Sequence, residues 1–248
     1  MSTSFHVGTA NLKNSTLLVA FPSTGLVGVI AARHLVEKLK LEPAGFVQSD
    51  VFAPVILIQN GLLAHPVRVY HSRKHGLTIL TSEQVLHDPT ALHKFASDLG
   101  AWISKQKFKQ VISVSGILVA QESTPGGNIY GVAANASGKK LLEGNGVKVL
   151  KEGISTGISP LLLLQCSDLA APAVQLLGEI AYNKDYAAAA SVVRKLNSIL
   201  KLNVNVAALE EEASQMKEGL SKQLMQLQKA KETIEQEGPE KDHSMMFG

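Results

Sequence analysis

Short unbroken apolar runs alternate along the chain with apolar stripes at helical spacing. Leu17-Leu18-Val19-Ala20-Phe21 is a continuous apolar run, the pattern of a strand buried on both faces. Pro22-Ser23-Thr24-Gly25 breaks it, and residues 26–39 follow with apolar positions at 27, 30, 31, 35 and 39, and His34 beside them, on one helical face. Ser23 or Thr24 is placed to cap that helix, and basic residues gather at its C-terminal end, where the dipole favours them. Strand, glycine-containing turn and helix in this order open an α/β unit.

Further runs repeat the theme. Phe46–Ser49, Val55–Gln59, Val67–His71 and Leu77–Thr81 read as strands. Asn60-Gly61 is a strong turn signal, but Leu62 to Pro66 intervene before the next run, so the loop reads as longer than an ideal hairpin. Asp88-Pro89 starts a helix with proline at its first position, and Leu92, Phe95, Ala96, Leu99 and Ile103 form its buried face. Val111–Gly116 and Ile129–Ala133 read as strands, with a short helix around Lys139–Leu142. The leucine run Leu161–Leu164 and the segment Ala173–Leu177 each fit a strand or a buried helix, and periodicity leaves both open. From Asp185 to Leu196 alanine-rich composition predicts a helix, capped by Asp185 or Asn183.

The pattern shifts near Asn205. Leu209, Ala213, Met216, Leu220, Leu224, Leu227 and Ile234 recur at three- and four-residue steps, with Lys231 interrupting the seam before Ile234 and charges on the other faces. This predicts a long helix with a coiled-coil-like seam, extending roughly 45 Å at 1.5 Å per residue. It would pack either on its own core or on another helix. Gly238-Pro239 ends it, and a polar spacer leads to Met246-Phe247-Gly248. The expected organisation is an α/β core over residues 1–204, a helical extension over 205–237 and a flexible tail over 238–248.

Composition narrows the function classes. The 248 residues are 45% hydrophobic but only 5% aromatic, enough for a substantial aliphatic core. A formal charge of +3, without basic residues interleaved with aromatics, gives no reason to expect nucleic-acid binding. Cys166 is the single cysteine, set in an apolar run, and reads as a small buried hydrophobe in a reducing compartment. No signal pattern opens the chain and no apolar run approaches about 18 residues, so a cytoplasmic protein outside the membrane is expected.

Candidate chemistry is sparse. Gly25-x-x-Gly28 at a helix start invites a phosphate, yet it matches neither G-x-G-x-x-G nor the Walker A pattern. The competing reading is that the small residues let the helix sit close to the sheet. His65, His71 and His75 lie near one another, but no H-x-x-x-H pair with a third ligand on a predicted helix appears, and Ser115 is not in G-x-S-x-G. Glu83, Asp88 and Glu122 follow strand ends, where α/β active sites sit, but make no acid/base pair. Neither catalytic residue nor cofactor nor metal is expected.

Taken in order, several of these segments resemble the proteasome assembly chaperone family in its archaeal, ATP-independent form. The likeness rests on Phe21-Pro22-Ser23-Thr24-Gly25-Leu26-Val27-Gly28 with Ala31-Ala32-x-x-Leu35-Val36, and on Ser49-Asp50-Val51-Phe52-Ala53-Pro54. It continues in Pro66–Tyr70, Gly153-Ile154-x-x-Gly157-Ile158 and Asp185-Tyr186-Ala187-Ala188. The resemblance implies a three-layer α/β/α core, similar to purine nucleoside phosphorylases but used for binding, with the leucine run helical and Ala173–Leu177 a strand. It implies a homo-oligomer, with four subunits as one candidate number, acting as an assembly chaperone or ATP-independent activator. It also implies a C-terminal hydrophobe–aromatic–any-residue motif docking between α-subunits of the proteasome core particle. Met246, Phe247 and Gly248 take those places, and Leu209, Met216, Leu220, Leu224 and Leu227 form the oligomerisation or helix seam. Phe247 stands where tyrosine is usual, and a lost hydroxyl hydrogen bond is worth roughly 0.5–1.5 kcal/mol. The alternative is a phosphate- or nucleoside-binding α/β enzyme using the Gly25/Gly28 turn. A third is a scaffold that oligomerises through residues 206–234 and leaves its tail unused.

Overall fold

A computed structural model of the chain describes residues 2–86, 88–119 and 127–236, with side chains as far as residue 222. The parallel centre of its sheet holds β2 (Thr16–Ala20), β7 (Leu77–Ser82), β8 (Gln110–Ile117) and β11 (Ala173–Glu179). Antiparallel strands continue one side: β6 (Val67–Ser72), β3 (Glu42–Ser49) and β1 (Thr3–Val7). On the other side β9 (Ile129–Ala133) pairs antiparallel with β11, and β10 (Lys148–Val149) runs parallel to β9. The order across the nine strands is β1-β3-β6-β7-β2-β8-β11-β9-β10.

The central strands are apolar on both sides because helices cover both sides. In register, Leu18 lies beside Ile79 and Ile112, and all three feed one core, while Val19 and Leu80 feed the other. The first core is closed by α1 (Val27–Lys38), α3 (Ala136–Gly144) and α5 (Tyr186–Leu200), through Ala31, Leu35, Leu142, Ala189 and Val193. The second is closed by α2 (Pro89–Gln106) and α4 (Ile158–Gln165), through Phe95, Leu99, Trp102 and Leu162. The result is a mixed sheet between two helical layers. Both ambiguous segments resolve as the resemblance implied: the leucine run is α4 and Ala173–Leu177 lies in β11. The last described helix, α6 (Ala207–Gln236), follows α5. No helix among the described residues is long and apolar enough to cross a membrane.

Local signals worked where a side chain could act on its own backbone. Asp88 accepts from the Ala91 N–H at 2.7 Å and caps α2, with Pro89 at its first position. Asp185 accepts from the Ala188 N–H at 2.8 Å and caps α5. The expected cap on α1 is absent. Leu26, in a left-handed conformation at φ 52°, precedes that helix, and neither Ser23 nor Thr24 reaches its N–H groups. Gly25, at φ 70°, lies in the left-handed region that glycine adopts freely, between those two residues and the helix start.

The Asn60-Gly61 reading also needs correction. Leu62 to Ala64 are not loop: β4 (Leu57–Gln59) and β5 (Leu62–Ala64) pair directly as a separate two-stranded ribbon, and His65 and Pro66 connect it to β6. Asn60 at φ 51° and Gly61 at φ 77° make the two-residue turn that this dipeptide favours.

One contact sets the depth of α1 on the sheet. A Cβ on Gly28 would lie 2.5 Å from the Val114 carbonyl oxygen of β8. Replacing a helical glycine by alanine ordinarily gains up to ~1 kcal/mol. Here Gly28→Ala is expected to lower stability by about 1–3 kcal/mol, because the obstacle is backbone that cannot step aside. Urea unfolding of the two chains measures the sign.

Candidate functional site

Ligands of open α/β sheets sit at the carboxyl ends of the parallel strands, so that end was the first candidate. The turn between β2 and α1 is closed there by the chain itself. Ile180, just after β11, lies over Gly25, where its Cγ2 would be 2.6 Å from an added Cβ. The Gly25 carbonyl accepts from the Asp185 N–H at 2.9 Å. The Asp185 carboxylate is buried and takes the N–H groups of Ala181 at 2.8 Å and Ala188 at 2.8 Å. Gly116 meets the Thr24 carbonyl so closely that no side chain fits between them. The glycines that suggested a phosphate cradle are thus explained as packing contacts.

The titratable groups singled out in the sequence do not converge. Asp88 is used as a helix cap, and Glu122 lies outside the described residues. Glu83 accepts from the Arg33 guanidinium at 3.2 Å and the Arg68 guanidinium at 3.3 Å. Arg68 also donates to Gln59 Oε1 at 2.8 Å. His65 stacks on Phe46 with ring centroids 3.7 Å apart, and His71 Nδ1 is 3.0 Å from the Thr78 hydroxyl. Burial holds His71 below the ordinary histidine range and pushes the Cys166 thiol up to about 11, which leaves that thiol un-ionised near neutrality. Ser115 accepts from Gln175 Nε2 at 2.6 Å within the sheet. No group of three or more potential metal ligands occurs among the described residues.

A groove of about 520 Å³ runs beside α1, floored by Leu26, Ile30, Val85, Tyr186 and Leu209. Arg33, Lys38 and Lys184 on its walls are matched by Glu37, Glu83 and Glu212. His34, also on its wall, has its Nε2 2.7 Å from the Asn205 carbonyl. Balanced charge of this kind does not concentrate a phosphate.

The seam residues fall into three states. Leu209 is buried at 5% exposure in the core shared with α5. Ala213 and Met216 are half-buried, beside Tyr182 and Ala187. Leu220 is 37% exposed, so the stripe leaves the core as α6 extends. Leu224 and Leu227 lie in α6 beyond the last described side chain, and Met246, Phe247 and Gly248 lie outside the described residues.

The β4–β5 ribbon was missed as a surface. It exposes Ile58, Leu62 and Leu63, with Val55 and Ile56 beside it. The signal was available: from Val51 to Val67 the sequence contains no Asp, Glu, Lys or Arg.

The model of the PAC2 family matches residues 17–224, and the chain belongs to that family. Among solved structures it is similar to Pyrococcus furiosus PbaA, described as an archaeal homolog of proteasome-assembly chaperone. That protein is 30% identical, with a TM-score of 0.79 over 95% of this chain and 97% of the other. Pyrococcus furiosus PbaB, described as an archaeal proteasome activator, shares the fold at 24% identity, with a TM-score of 0.75 over 89% of this chain and 98% of that one. An uncharacterised protein of Methanocaldococcus jannaschii is 28% identical over 204 residues, 81% of this chain and 82% of its own.

The gradient along α6 predicts unequal costs. Leu209→Ala should destabilise the folded chain by about 2–4 kcal/mol. Leu220→Ala should change the stability of a single chain by less than ~0.5 kcal/mol. Thermal unfolding at a concentration too low for association separates the two.

Proposed function

We propose that this protein is a non-enzymatic, homo-oligomeric partner of the proteasome core particle, an assembly chaperone or ATP-independent activator. The similarity along nearly its whole length to an archaeal homolog of proteasome-assembly chaperone carries this reading. The filled space above Gly25 and the balanced charges beside α1 support it over a phosphate- or nucleoside-binding enzyme. The working division is a core of residues 1–204, a helical extension of 205–237 and a docking tail of 238–248. On this reading the protein is cytoplasmic and takes neither cofactor nor nucleic acid.

The tail is the proposed docking element. Met246 and Phe247 supply apolar area for a pocket between α-subunits, and the terminal carboxylate meets a basic group there. A single short tail binds weakly because docking removes its conformational freedom. Several tails on one oligomer raise the effective concentration of the later ones and make the assembly bind well. The stripe from Leu209 through Met216 and Leu220 to Leu224 and Leu227 then serves as a helix seam that sets tail spacing or joins subunits.

Removing residues 246–248 is expected to abolish capture of core particle in a pull-down that succeeds with the full chain. Equal capture by both would remove the tail from the account. Phe247→Tyr should tighten capture up to about tenfold, the equivalent of one added hydrogen bond. Peptide hydrolysis by the core particle assigns the role: stimulation marks an activator, and an effect confined to subunit assembly marks a chaperone.

A further inference from the structure

A cluster of unpaired positive charge lies at the amino end of the sheet, opposite the β2–α1 turn. Three segments meet there around a hollow of about 920 Å³: residues 8–15 between β1 and β2, residues 40–44 where α1 gives way to β3, and residues 71–76 at the turn between β6 and β7. Its walls carry Lys13, Lys40, Arg73 and Lys74 against a single carboxylate, Glu42. His71, also on the wall, adds no charge near neutrality, because burial holds it below the ordinary histidine range.

None of the four cations forms an ion pair with another described residue. The other arginines of the chain, Arg33, Arg68 and Arg194, are all paired with glutamates. Helix dipoles explain part of the cluster. Lys40 follows α1, and Lys13 neighbours the end of α2 through the Asn14 N–H, which donates to the Lys107 carbonyl at 3.1 Å, so a cation is favoured at both. Arg73 and Lys74 stand in a turn between two strands, where no such dipole calls for charge. Lys40 also takes a left-handed conformation at φ 51°, where glycine is the unstrained residue. The rim is fixed by its own bonds. The Thr16 N–H donates to the Gly76 carbonyl at 2.7 Å and the Gly8 N–H to the Ala44 carbonyl at 2.9 Å, and the Ser15 and Thr78 hydroxyls meet at 2.8 Å. The cations therefore stand around a preformed hollow, with a mutual repulsion that a bound anion relieves.

We infer that this hollow binds an oligophosphate, an anion of two or more linked phosphate groups. Such a site stands apart from the proteasome role. Four cations against one carboxylate call for more than a single negative charge. The cations are mostly lysines, whose compact ammonium groups suit a phosphate, whereas planar carboxylates are best held by the paired nitrogens of arginine. The volume falls in the range of small-molecule clefts. Asn11, Asn14 and Ser72 add uncharged donors. No Phe, Tyr or Trp lines the hollow, so nothing there stacks a base. The phosphates, rather than any group attached to them, are what the walls recognise.

Calorimetric titration of the full chain at low ionic strength tests this, with tripolyphosphate, ATP and a glutamate peptide as probes. Arg73→Ser with Lys74→Ser removes two charges from the hollow, and Lys140→Ser with Lys151→Ser removes two from elsewhere. All four side chains are exposed, so both variants should keep the wild-type circular dichroism. Lys13→Gln provides a further variant outside the turn. The expected result is saturable binding of tripolyphosphate, with ATP binding alike. Affinity should fall about tenfold or more in the Arg73/Lys74 variant, fall in the same direction in Lys13→Gln, and stay unchanged in the Lys140/Lys151 variant. Absence of saturable binding overturns the inference. Equal weakening in both double variants overturns it by assigning the effect to net charge. Much tighter binding of ATP than of tripolyphosphate overturns it in favour of a nucleotide site, and tighter binding of the glutamate peptide in favour of an acidic protein segment.

Discussion

The close approach of α1 to the sheet governs the rest of this structure. Gly28 against the Val114 carbonyl, Gly25 beneath Ile180 and Gly116 against Thr24 bring the β2–α1 turn, β8 and the segment after β11 into direct contact. Packing at that density leaves no space for even one extra carbon. Asp185 completes the joint, since its carboxylate satisfies the N–H groups of Ala181 and Ala188 from a fully buried position. A carboxylate so placed both caps α5 and rigidifies the turn over Gly25.

The functional consequence follows from geometry. An open α/β sheet offers its ligand crevice at the strand carboxyl ends, and this chain has filled the part of that end nearest α1 with its own Ile180. What the described residues offer instead lies outside the core: a tethered aliphatic ribbon and a long helix whose apolar stripe runs out of the core. Such an arrangement suits a protein that works by holding other chains. The ion pairs near the ribbon fit the same reading. Glu83 between Arg33 and Arg68 is a positioning device, because Arg68 spends its other nitrogen on Gln59 of the ribbon.

Much of the fold was legible because its causes are local. The run from Leu17 to Phe21 and the caps at Asp88 and Asp185 act within a few residues, and the sequence displays them directly. The Gly25/Gly28 turn is different, since nothing near it says that Ile180, far along the chain, will cover it. The ribbon was misread because three-residue strands fall below any periodicity, although Asn60-Gly61 announced the turn. β1 was missed for a related reason: Thr3–Val7 is a short edge strand whose apolar residues alternate only twice, with Phe5 stacked on Trp102 of α2 at 4.8 Å. The leucine run could not be read as helix or strand on its own, and order across the chain, rather than any one residue, made the family legible. Of the candidate site, the seam's first residue proved to be core, as Leu209 shows, and the Arg33–Glu83–Arg68 contact was invisible because its members are distant in sequence.

The central claim is that this closed α/β core exists to present surfaces to the proteasome core particle. Co-sedimentation of the intact chain with purified archaeal core particle, followed across a range of chain concentrations, tests it most directly. The account predicts a saturable complex that migrates ahead of free core particle. Independent migration of the two at every concentration would contradict it.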